Sequence, residues 1–103
     1  MTEHTGYEQD IINAVWNKGF IVPGWNPATY RLDRCGAIME RAMYGDRSME
    51  NNRGWEIDHI MPRSIRNNDD LDNLQPLQWT NNVLKGDDYP ANYSDEKYMR
   101  RSA

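Results

Sequence analysis

One stretch of this chain gathers side chains that could together break a phosphodiester bond. It runs Gly54-Trp55-Glu56-Ile57-Asp58-His59-Ile60-Met61-Pro62, resumes at Asn73-Leu74-Gln75-Pro76-Leu77 and closes on Trp79-Thr80-Asn81-Asn82-Val83-Leu84-Lys85. His59 can take a proton, Asp58 can hold a hard cation, and Asn82 offers a carboxamide oxygen. That set suits metal-assisted hydrolysis, in which the cation polarises a phosphoryl oxygen and steadies the departing alkoxide while an imidazole draws a proton from water.

The elements that must position these groups can be read from periodicity. Trp55, Ile57 and His59 alternate with Glu56, Asp58 and Ile60, which predicts a strand. Strict alternation points Asp58 and His59 to opposite faces, so both reach one phosphate only if the strand ends or bulges there, and Pro62 fits an ending. The polar run from Arg63 to Asp72 reads as a loop. Leu74 to Leu77 reads as a second short strand, with Pro76 marking it as an edge. Thr80 is the expected N-cap and Gly86 the stop of a helix of little more than one turn, with Asn82 in its first turn.

From Trp55 to about Asp87 the chain resembles the ββα-metal finger of HNH endonucleases, over roughly a third of its length. Carried over residue by residue, the resemblance puts Asp58 on the first metal ligand, His59 on the general base and Asn73 on the middle asparagine that braces the loop behind the base. Asn82 falls on the third signature position, the second metal ligand, and Lys85 on the lysine one helical turn later. The resemblance therefore implies a metal-dependent DNA endonuclease with Asp58, His59, Asn73 and Asn82 at its centre. One carboxylate and one amide oxygen form a hard, sparse donor set, better suited to Mg²⁺ or Mn²⁺ than to Zn²⁺. Many relatives also carry two Cys-x-x-Cys pairs. Here the matching positions hold Gln78 and Asn81, and Cys35 is the lone cysteine, so no structural zinc is expected.

Composition bounds the rest. A chain of 103 residues holds one small α+β domain, divided here into a helical and extended scaffold (1–46), the ββα-metal motif (47–88) and a tail or short helix (89–103). Aliphatic residues are few, and four Trp, six Tyr and six Met must supply much of the core. The single cysteine and polar start lead to the expectation of a cytoplasmic protein, and no apolar run approaches the length of a membrane span.

A net charge of −4 argues against a DNA partner, because affinity for duplex DNA comes largely from Lys and Arg neutralising phosphates. Distribution matters more than the sum. Arg63 and Arg66 flank the motif and, with Lys85, are the candidate phosphate contacts, against the plainer reading of surface charge. Asn73 reads as structural even inside the motif, and Asn82 has a capping alternative. Glu56 lies on the Asp58 side of the strand, where a solvated face outweighs a part in the cation site. Cys35 reads as a small buried hydrophobe, and His4 as a tail residue without a specific role.

In the scaffold, Thr5-Gly6-Tyr7-Glu8 has the form of a capping box, and Ile11, Ile12, Val15 and Trp16 follow on one helical face until Gly19. Cys35, Ile38, Met39, Ala42 and Met43 recur at helical spacing, with a strand from Ala37 to Tyr44 as the alternative, and Ser94 would cap a short basic terminal helix. Two function classes stay open: the nuclease, which would need a homodimer or two visits to cut both strands of DNA, and a nucleic-acid- or protein-binding module on the same scaffold without turnover.

Overall fold

A computed structural model describes residues 7–101. It contains two helices and two small antiparallel sheets in the order α1 (Gln9–Trp16), β1 (Tyr30–Leu32), β2 (Ile38–Glu40), β3 (Trp55–His59), β4 (Leu74–Gln78) and α2 (Trp79–Lys85), with single 3₁₀ turns before β3 and β4. No helix among the described residues is long and apolar enough to cross a membrane.

The α1 stripe buries Ile12, Val15 and Trp16 as its periodicity predicts. Thr5 of the expected capping box, like His4, lies outside the described residues, and the N-cap is Glu8, with no side-chain cap bond. Trp16 meets Trp55 with ring centroids 5.1 Å apart, and Tyr44 closes on Trp55 from its other side at 4.8 Å. With Met39 and Leu74 these residues form the main core. Lys18, just past the helix, donates to the carbonyls of Leu71 and Leu74, fastening α1 to the start of β4.

The ambiguous 35–43 segment resolves as strand β2 followed by a 3₁₀ turn, paired with β1 in a hairpin. Its turn is organised by Asp33, a buried carboxylate absent from the sequence reading. One oxygen accepts from the amides of Cys35 and Ala37 at 2.9 and 2.8 Å, and the other accepts from Gln78 N and Asn81 Nδ2, both at 3.0 Å. One side chain thus ties the β1–β2 turn to the junction of β4 and α2. Burial pushes its pKa up, and these four bonds oppose that shift.

β3 and β4 pair antiparallel without a bulge, from Trp55 opposite Gln78 to His59 opposite Leu74. Directly opposed residues share a face. Trp55, Ile57 and His59 therefore lie on the α1 side, while Glu56, Asp58, Gln75 and Leu77 lie on the other, against α2 and the tail. All of β4 is buried, Gln75 and Gln78 included.

α2 begins two residues earlier than expected. The Gln78 side chain, not Thr80, caps it by accepting from Asn81 N at 3.0 Å, and Gly86 ends it at φ +52°. Its polarity is inverted, with Asn81 and Lys85 buried and Val83 and Leu84 exposed. Among the described residues the tail forms no helix after Ser94. It runs back across the domain instead, where the Asn81 amide clasps both backbone groups of Met99, at 2.6 Å to its N and 3.1 Å to its O. Tyr98 packs with Cys35 and Leu77 in a second small core.

Candidate active site

His59 is the last residue of β3, where the strand gives way to the bend at Ile60. The turn behind it is held by Asn73, whose buried carboxamide accepts from Met61 N at 2.9 Å and donates to Met61 O at 3.1 Å. Asn73 O also accepts from Ile60 N at 2.9 Å. A side-chain amide paired both ways with one residue's backbone acts like a short ladder rung, fixing the exit of the strand and with it the imidazole.

The imidazole is partly buried, with Nε2 2.7 Å from Asp69 Oδ1 and 3.4 Å from the Tyr7 hydroxyl. The His59 bond, helped by Arg63 at 2.9 Å, holds the Asp69 carboxyl below the usual range. An ionised carboxylate only accepts, so Nε2 carries the proton in this pairing, and in the neutral ring Nδ1 keeps its lone pair.

Asp58 lies on the opposite face with little access to solvent. Its Oδ2 accepts from Gln75 Nε2 at 2.8 Å, and its Oδ1 faces Lys85 Nζ at 3.2 Å. Burial pushes its carboxyl above the usual range, against the pull of Gln75 and Lys85. Lys85 is completely buried and donates also to His59 O at 3.0 Å. An ammonium so enclosed cannot lie on a phosphate, which corrects the expectation that Lys85 is a surface phosphate contact. Arg63 and Arg66 are on the surface, but each is paired within the loop, Arg63 to Asp69 and Arg66 to Asp70 and Asp72.

Asn82 sits one helical turn before Lys85 and consequently reaches a different carboxylate. Its Nδ2 donates to Glu56 Oε1 at 2.9 Å. Glu56 also receives a bidentate guanidinium, Arg47 Nε at 2.6 Å and Nη2 at 2.9 Å. These three side chains border an open cavity of about 370 Å³ beside β3, which Tyr7, Tyr44 and Ile57 also line.

The donors on these elements can be compared with what a divalent ion needs. Among the described residues no three His, Cys, Asp or Glu side chains cluster as a closed site would require. An open site needs fewer protein oxygens, the rest coming from water and substrate. Asp58 suits it poorly, since both of its oxygens are engaged inside the protein. The Glu56–Asn82 pair suits it, having a carboxylate and an amide oxygen beside open space and a cation already resting on the carboxylate. Glu56 could be read from its alternation with Asp58, whereas Tyr7, Arg47 and Asp69 carried no local signal.

Comparison with known proteins agrees with the motif. Residues 42–91 match the family model described as HNH endonuclease. No curated protein and no solved structure matches the chain. The matched segment contains β3, β4 and α2 and every residue of the site described above except Tyr7. The match spans just under half of the chain and makes this segment similar to HNH endonucleases.

Proposed function

We propose that this protein is a metal-dependent endonuclease that hydrolyses phosphodiester bonds of DNA, with His59 as the general base. The observation that carries the reading is the orientation of the imidazole. Asp69 engages Nε2, Asn73 locks the turn behind it, and Nδ1 is left to accept a proton from water. A divalent cation held at Asn82 and the carboxylate side of β3 would place positive charge on the scissile phosphoryl oxygen and the leaving alkoxide. Mg²⁺ and Mn²⁺ match the oxygen donors. Asn73 touches no substrate and acts by positioning. Lys85 acts from inside, joining Asp58 of one face to the His59 carbonyl at the end of the strand.

One observation favours the second reading, a binding module without turnover: the arginines near the site are already paired, and the chain carries a net charge of −4. Such a surface binds DNA weakly and with steep salt dependence. Nicking of supercoiled plasmid in Mg²⁺ or Mn²⁺ at low salt decides between them. The wild type should nick and His59→Ala should lose at least about a hundredfold in rate, the lower range for a lost general base. Equal rates for the two, or no cutting in either ion, would refute the nuclease.

A further inference from the structure

Asp58 and Glu56 are two residues apart on the same face of β3, yet they stand in opposite electrostatic situations. Asp58 is sealed beneath α2, with Lys85 and Gln75 on its oxygens. Recruiting it to a metal would strip the partner from a fully buried ammonium. Glu56 lies at the rim of the cavity, and its main partner, Arg47, keeps 56 % of its side chain exposed. Releasing Arg47 only returns a guanidinium to water.

We infer that the metal-binding carboxylate of this chain is Glu56, acting with Asn82, and that Arg47 is a resident cation which a divalent ion must displace. The inference rests on the metal-dependent reading above and names its ligands. Two contacts argue for it. Arg47 places its charge across both oxygens of Glu56, at 2.6 and 2.9 Å, where a hard cation would neutralise the same carboxylate. Asn82 already touches Glu56 through its amide nitrogen at 2.9 Å, and its amide oxygen has no partner among the described residues. Turning that amide over exchanges donor for acceptor without moving α2. Glu56 and Asn82 then offer two oxygens to one ion, while the Asp58–Lys85 pair below remains intact and holds α2 on the sheet. Arg47 lies 5.8 Å from the Trp79 ring, so once displaced from Glu56 it has an aromatic face nearby to rest on and can meet an incoming anion.

The experiment is titration of the full chain with Mn²⁺ alone, by calorimetry and by the loss of the free-ion electron paramagnetic resonance signal, without DNA. Glu56→Gln should weaken binding by more than about tenfold. Arg47→Ala should tighten it roughly fivefold, since a competing charge next to a divalent ion is gone. The charge-neutral double variant Asp58→Asn/Lys85→Met should bind within about threefold of wild type. Glu56→Gln binding as wild type does, Arg47→Ala binding no tighter, or a folded double variant that has lost the ion would each overturn the inference. Glu56→Gln and Arg47→Ala change rim residues, so they decide the matter even if the double variant fails to fold. Mn²⁺ uptake undiminished in Glu56→Gln refutes the ligand assignment and leaves the nuclease reading to its own nicking test. A wild type that takes up no Mn²⁺ refutes both.

Discussion

Replacing Lys85 by methionine isolates the buried pair that joins α2 to β3. Methionine fills a similar volume, so the change removes charge and hydrogen bonds with little cavity. Two contacts disappear, at 3.2 Å to Asp58 Oδ1 and 3.0 Å to His59 O, and Asp58 is left as an uncompensated charge with 6 % exposure. Breaking a buried pair from one side costs about 3–5 kcal/mol. A domain of this size has about 5–15 kcal/mol in all. At about 4–8 °C per kcal/mol, the melting temperature at pH 7.5 should fall by roughly 12–40 °C. The dependence on pH carries the sharper test. Burial already raises the Asp58 pKa in the folded state, and without Lys85 less opposes it. A carboxyl whose folded pKa exceeds its unfolded value contributes stability that is fully present below the unfolded value and is lost as pH rises through the folded one. The penalty of Lys85→Met should therefore be small near pH 4, where Asp58 can be protonated, and should grow toward pH 7.5. Asp58→Asn/Lys85→Met should recover most of the loss. Urea unfolding of wild type and both variants, followed by tryptophan fluorescence at several pH values, measures this. A penalty equal at pH 4.5 and 7.5, or below about 1 kcal/mol at pH 7.5, would refute the argument.

Three further outcomes follow from the same geometry. Asp33→Ala removes the acceptor of four buried donors and should cost about 3 kcal/mol or more in urea unfolding, and a loss below about 1 kcal/mol would mean that water or relaxation replaces those bonds. The Cys35 thiol is pushed up to about 12, by burial first and then by Asp33, so a disulfide reagent at pH 8 should label the native protein far more slowly than the urea-unfolded chain, and similar rates would contradict the burial. Gly54→Ala would put a methyl 1.6 Å from Asp46 O, so the 45–47 turn must move at a cost of about 1–3 kcal/mol, and an unchanged melting temperature would show that this close approach is not required.

What could be read before folding was whatever depends on local period and punctuation. The α1 stripe, the alternation of β3, the short β4 ahead of α2 and the stop at Gly86 all repeat or end within a few residues. The motif spacing likewise marked His59 and Asn73, whose mutual bracing through Met61 spans only a loop. What escaped depends on partners far along the chain. Asp33 meets Gln78 and Asn81 across more than forty residues, so nothing near it announces a buried carboxylate. Lys85 looked like surface charge because lysine is seldom enclosed, and its burial follows from Asp58 facing it on the side of the sheet that α2 covers. Gln78 displaced Thr80 as the cap because β4 runs directly into α2, leaving no loop residue to do the work. The polar tail showed no helical stripe because its anchors are single groups, Tyr98 and the Met99 backbone, that answer to distant residues.

The grip of Asn81 on Met99 bears on how portable this HNH-like module is. The strand-and-helix cassette is roofed on one side by residues 98 and 99 and floored on the other by α1, so an excised fragment would bare Leu77 to water below the tail and Trp55 where Trp16 had been. Engineering that transplants the cassette must carry both covers with it. Conversely, a cut between Pro90 and Tyr98 should slacken the far end of α2 and, through Lys85, the strand that presents His59.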